Sequence, residues 1–104
     1  KIFTWSPING IQIEIENAGQ CNAKQLAELD EPGSNGLVQH PTNPDIIFIA
    51  QHGQRRIISY NLNTKQSEII ADKFNGKKLN SPNDLVIGPK GQYLYFTDPT
   101  YGLK

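Results

Sequence analysis

Apolar residues in this chain come in blocks of four or five and never settle into a 3.6-residue period. Ile2-Phe3-Thr4-Trp5, Ile11-Gln12-Ile13-Glu14-Ile15, Ile46-Ile47-Phe48-Ile49-Ala50, Ile57-Ile58-Ser59-Tyr60 and Tyr93-Leu94-Tyr95-Phe96-Thr97 are the clearest. Each is rich in β-branched or aromatic types and gives way to Gly, Pro, Asn or Asp, which is the pattern of short strands. Turn chemistry lies between them: Ser6-Pro7-Ile8-Asn9-Gly10, Pro41-Thr42-Asn43-Pro44-Asp45, Asn61-Leu62-Asn63-Thr64 and Gly88-Pro89-Lys90-Gly91. The one helical candidate, Ala23 to Leu29, shows no firm cap and reads equally as a strand running into Glu31-Pro32-Gly33. The pattern predicts an all-β chain.

An internal repeat organises these blocks. Asn35-Gly36-Leu37-Val38, Pro41 and the block from Ile46 recur as Asn83-Asp84-Leu85-Val86, Pro89 and the block from Tyr93, with Asn and Pro both displaced by 48 residues. A second echo pairs Lys1–Trp5 with Arg56–Tyr60. A period of roughly 40–50 residues carrying four short strands marks a β-propeller blade. In that register, 1–32 is the end of one blade with an insertion, 33–72 a full blade, and 79–104 the start of the next. A blade cannot bury both faces of its sheet alone. The expected partners are therefore the remaining blades of the same propeller, with this chain supplying about two.

Composition narrows the function classes. The chain has 104 residues, ten Lys+Arg against ten Asp+Glu, and zero formal net charge, which argues against an electrostatic nucleic-acid binder, since that needs a basic face. No apolar run approaches the ~20 residues of a membrane span, and no stretch reads as a signal peptide, so any leader is expected to precede Lys1. The lone Cys21 excludes a disulfide framework or a multi-cysteine zinc site within the chain. No nucleophile-elbow serine and no phosphate-cradling glycine loop is present.

The densest chemistry runs from Leu79-Asn80-Ser81-Pro82-Asn83-Asp84-Leu85-Val86 to Asp98-Pro99-Thr100-Tyr101-Gly102. Pro82 holds the chain extended and biases Ser81 away from helix, delivering Asn83 to the start of an innermost strand. An Asn amide oxygen there is a hard, neutral ligand suited to Ca²⁺, which gathers six to eight oxygens. An Asx-turn capping the strand accounts for the same residue. Asp84 beside it either orients a ligand or water or closes a turn. His52 follows the Ile46–Ala50 strand in a loop at one end of the sheet, where it either acts on substrate or bonds to backbone. Asp98 and Tyr101 occupy the corresponding loop one blade later and either line a pocket or shape a turn. Arg55 and Arg56 are expected to flank a strand with one guanidinium in solvent, and His40 to be exposed and idle.

The segment Leu79 to Leu103 resembles the signature of the gluconolactonase, SMP-30 and luciferin-regenerating-enzyme-like family. Gln51-His52-Gly53-Gln54-Arg55-Arg56 resembles that family's Glu-His-Gly-Asn-Arg-Arg stretch, and Ser34-Asn35-Gly36-Leu37 its Ala-Asn-Gly-Leu. Gln51 and Gln54 depart from the pattern, and Glu16 to Glu31 looks like an insertion. The resemblance implies a six-bladed propeller and a lactonase binding one divalent cation, usually Ca²⁺, through oxygens from several blades. Asn83 matches one ligand; the others fall outside this chain. Such a cation would polarise a lactone carbonyl and activate a water, with His52 and Asp84 as the catalytic candidates and Asn35, Ser81, Asp98 and Tyr101 as substrate contacts. Related paraoxonase-type lactonases carry a histidine pair, and the second position falls here on Asn35, leaving a His52–Asn35 pair. By the same resemblance a small-molecule lactone is the expected substrate, and the chain alone is expected to be inactive.

Two rival readings share the architecture: a non-catalytic propeller binding a ligand or partner at its channel, and a phosphotriesterase-like hydrolase using the same metal, since fold does not fix chemistry. The sequence does not fix the compartment; an extracellular or periplasmic one is favoured over a cytoplasmic one.

Overall fold

The structure, a computed structural model, describes residues 1–103. It is built almost wholly of antiparallel strands, in the order β1 (Ile2–Ser6), β2 (Gly10–Ile15), α1 (Ala23–Glu28), β3 (Leu37–Gln39), β4 (Ile46–Gln51), β5 (Arg56–Asn61), β6 (Ser67–Ala71), β7 (Lys73–Phe74), β8 (Lys77–Lys78), β9 (Leu85–Ile87) and β10 (Leu94–Phe96). Strands β3 to β6 form a four-stranded meander, and the pairs β1–β2, β7–β8 and β9–β10 are two-stranded.

The two central strands of the meander, β4 and β5, are covered on both faces while β3 and β6 stay largely exposed, which explains why β4 is a continuous apolar run rather than an alternating one. Alternate residues of β4 and β5 point to opposite sides. Ile49 and Ile58, directly paired across the strands, join Ile2, Ala18 and Tyr60 in a core shared with the β1–β2 hairpin. Ala50 and Ile57, the next pair but opposite in facing, join Leu85 in a core shared with β9–β10. Ile49, Ala50 and Ile57 are wholly buried, and each isoleucine so placed contributes about 1.5–3 kcal/mol of apolar burial. The β1–β2 sheet is tied to the meander at its rim as well, where Lys65 after β5 meets Glu14 on β2.

On their far sides the flanking pairs carry exposed apolar residues. Trp5 faces Ile11 and Phe3 faces Ile13 across β1–β2, and Val86 faces Tyr95 across β9–β10.

One element that the sequence left open and one that it did not show complete the fold. Residues 23–28 are helical, and the cap is Asn22: its side chain accepts from the Gln25 amide while Gln25 reaches back to the Asn22 amide. This is a capping box with Asn and Gln in place of the commoner Ser and Glu. The β7–β8 hairpin was not anticipated. Asn75 and Gly76 sit at φ 51° and 77°, the left-handed pair that a two-residue type I′ turn requires and that Asn-Gly supplies.

Candidate functional site

The repeat places equivalent backbone at the starts of β3 and β9. Asn35 donates its amide N–H to Ala50 O, and Ala50 N–H returns to Gly36 O; one blade later Asn83 N–H bonds Thr97 O, and Thr97 N–H bonds Asp84 O. Both asparagines thus stand at the same end of adjacent innermost strands. The strands approach so closely that Gly36 N–H donates to Asn83 O at 2.7 Å. A Cβ on Gly36 would lie 2.8 Å from that oxygen, so only glycine fits between the two asparagines.

Their side chains meet. Asn35 Nδ2 lies 2.9 Å from Asn83 Oδ1 and 2.9 Å from His52 Nδ1. An amide nitrogen has two hydrogens, and these two contacts use both. Asn83 therefore does not close an Asx-turn on its own backbone; its oxygen accepts from a side chain of the neighbouring blade and keeps one lone pair. His52 lies in the β4–β5 turn as expected, but it is 1% exposed rather than open to solvent. Its Nδ1 is also 3.2 Å from Pro82 O, and the Tyr101 ring lies 5.7 Å from it, tilted by 34°. Gly102 packs against the imidazole so closely that any Cβ there would overlap the ring.

The other candidates fall around this cluster. Ser81 is buried, its hydroxyl donating to Pro99 O and accepting from Gly102 N–H, so it fastens the 99–102 loop to the segment that leads into β9. Asp98 Oδ2 accepts from Asn80 N–H, while its buried Oδ1 has no hydrogen-bond partner. Asp84 is exposed, with Oδ1 accepting from Leu85 N–H, and it shares a shallow groove with Val86, Tyr95 and Thr97.

Neither arginine is left in solvent. Arg55 Nε donates to Leu79 O and Asn80 O, tying the His52 turn to the Asn83 segment. Arg56 donates to Gln51 and Gln20 side chains. His40 is half-buried, not idle: its Nδ1 accepts from the Thr42 and Asn43 amides and its ring lies 5.5 Å from Phe48.

The sequence reading missed Glu31. Its Oε2 is 3.0 Å from His52 Nε2, although the carboxylate lies off the N–H line and Nε2 makes no aligned hydrogen bond. Nothing in local spacing announces a carboxylate 21 residues upstream.

A divalent cation can be tested against these donors. Among the described residues no three His, Cys, Asp or Glu side chains cluster as a metal site. The donor that fits a hard cation is the remaining lone pair of Asn83 Oδ1, with the exposed Asp84 carboxylate adjacent in sequence. These two residues are a partial donor set for such a cation.

Two adjacent blades with polar side chains converging at the ends of their innermost strands are the anatomy of a propeller channel mouth, and the chain has the fold of part of a β-propeller. The chain resembles a curated gluconolactonase of Zymomonas mobilis subsp. mobilis, 37% identical over 99 residues, covering 95% of this chain and 27% of that protein. It also superimposes, with a TM-score of 0.72 and 32% identity, on an X-ray structure of a protein whose gluconolactonase assignment is itself provisional; the match covers 96% of this chain and 29% of that one. The chain thus spans less than a third of the length of each relative. No protein-family model matches it.

Proposed function

We infer that this chain forms part of a lactonase propeller of gluconolactonase type, hydrolysing a sugar lactone with the help of a divalent cation such as Ca²⁺. The observation that carries the reading is the meeting of Asn35, His52 and Asn83 at one end of two adjacent innermost strands, in a chain 37% identical to a gluconolactonase. Asn83 would hold the cation together with oxygens from other blades, with the exposed Asp84 carboxylate next to it in sequence as a candidate assistant. When bound, such a cation supplies Lewis acidity to the ester carbonyl and acidifies a water. The residues of this chain do the rest: Asn35 holds Asn83 Oδ1 in place, His52 holds Asn35, and Tyr101 closes over the imidazole from the 99–102 loop. The exposed apolar faces of β1–β2 and β9–β10 fit the packing of further blades, which would enclose the channel.

The reading is tested by glucono-δ-lactone hydrolysis by the full-length protein with and without a chelator. Turnover that EDTA abolishes and Ca²⁺ restores is expected. Absent turnover, or turnover indifferent to chelation, overturns it.

A further inference from the structure

We propose that Glu31, delivered by the segment between β2 and β3, is a positioning residue that sets the tautomer of His52 and through it the orientation of Asn35 and Asn83. Two opposed demands meet at one atom of the imidazole. His52 Nδ1 faces an N–H donor, Asn35 Nδ2 at 2.9 Å, and a carbonyl acceptor, Pro82 O at 3.2 Å. A bare Nδ1 satisfies Asn35 and a protonated Nδ1 satisfies Pro82; one nitrogen cannot do both. The ring is 1% exposed, so water does not arbitrate.

The other end of the ring decides. Nε2 is buried without an aligned partner, and an orphaned buried N–H costs about 1–3 kcal/mol. The Glu31 carboxylate stands 3.0 Å away on a half-exposed side chain, free to turn onto the N–H line. A carboxylate at Nε2 places the proton there, as orienting partners of functional histidines commonly do. Nδ1 is then the acceptor, Asn35 must present Nδ2 rather than its oxygen, and its second hydrogen goes to Asn83 Oδ1. The polarity of the chain Glu31–His52–Asn35–Asn83 is fixed from one end.

The intervening segment is built to hold Glu31 there. The Cys21 thiol donates to Pro32 O, and Gly53 in the His52 turn donates to Gly33 O. Gln54 Nε2 bonds both Gln20 O and Gln25 Oε1, so the segment carrying α1 is pinned to the turn that carries His52. What reads in sequence as an insertion has a place in the site.

The test uses the full-length protein, ¹⁵N-labelled, with long-range ¹⁵N–¹H correlations of the imidazoles at about pH 8, above the ordinary histidine range near 6.5. His52 signals are assigned by their loss in His52→Gln. Wild type should show the Nε2–H tautomer. Glu31→Ala should move the population to Nδ1–H, now bonded to Pro82 O. Glu31→Gln, which keeps an acceptor oxygen, should retain the wild-type pattern, and Glu28→Gln on exposed α1 should change nothing.

The activity arm rests on the lactonase reading: kcat should fall about tenfold in Glu31→Ala with KM little changed, and recover in Glu31→Gln. An Nδ1–H tautomer in wild type, or ring signals in Glu31→Ala identical to wild type, overturns the proposal. A normal tautomer shift without lactone turnover in any variant sinks the lactonase reading alone. Should Glu31→Ala fail to fold, Glu31→Gln decides by the same ring signals: a shift to Nδ1–H overturns the proposal, and the wild-type pattern supports it.

Discussion

Gly36→Ala is the substitution that most directly probes how the two asparagines are brought together. A Cβ at position 36 would stand 2.8 Å from Asn83 O, 3.0 Å from Asp84 Cα and 3.1 Å from Leu85 N. All three are backbone atoms, so no rotamer change relieves the contact. To restore ordinary packing the β3 and β9 starts must separate by about half an ångström. That stretches the 2.7 Å bond from Gly36 N–H to Asn83 O. Overpacking of this kind costs about 1–3 kcal/mol, and weakening the bond adds up to about 1 kcal/mol. The unfolded chain loses freedom on gaining a methyl, which returns about 0.4–1 kcal/mol. A net loss of about 1–3 kcal/mol remains.

In urea, at a slope of about 1–3 kcal/mol per molar, the midpoint of the full-length protein should fall by about 1 M. The same separation pulls Asn83 from Asn35, and misplacement on this scale costs about tenfold or more in turnover. Gly33→Ala is the control, since nothing lies within 4 Å of a Cβ there and its φ is not positive; it should be neutral. Wild-type midpoint and wild-type lactone turnover in Gly36→Ala would refute the close approach and with it the shared site.

Asn83→Ala should leave the unfolding free energy from urea titration within about 1 kcal/mol of wild type, because a half-exposed neutral hydrogen bond is lost, while Ca²⁺ affinity by calorimetry drops by at least about tenfold; unchanged affinity removes Asn83 from the ligand set. Cys21 is buried and desolvation pushes its thiol up, with Arg56 pulling weakly the other way. The folded state therefore holds the thiol proton more tightly than the unfolded one, so this contribution to stability is present at neutral pH and is lost as pH rises through the raised value. Iodoacetamide at about pH 8 should label native Cys21 at least about tenfold more slowly than urea-unfolded protein, and equal rates would contradict the burial. Ile11→Glu, on the 74%-exposed outer face of β1–β2, should cost less than about 0.5 kcal/mol if that face meets water and more than about 2 kcal/mol in the full-length protein if a further blade covers it; a small cost there contradicts the blade packing.

What the sequence made legible follows from what kind of signal each feature leaves. The strands from Ile46 and Ile57 were readable because burial on both faces demands an unbroken apolar run, and that demand is local. The equivalence of Asn35 and Asn83 was readable because a repeat converts a distance of 48 residues into matching positions on neighbouring strands, but the hydrogen bond between their side chains was not. The α1 cap was passed over because Asn22 and Gln25 are weaker spellings of a familiar signature, and Asn75-Gly76 because a two-residue hairpin inside a linker lacks flanking strands long enough to draw attention. Glu31 left no local trace, for a different reason. Its contact with His52 is set by where the 17–33 segment is pinned, through the Cys21 thiol, Gln54 and the glycine backbone at 53, and none of these residue types advertises a site. Repeat symmetry predicts what adjacent blades share; it is silent about what one blade receives from a segment its neighbours lack. The Glu31–His52 contact lies off the repeat, so nothing in the periodic pattern encodes it.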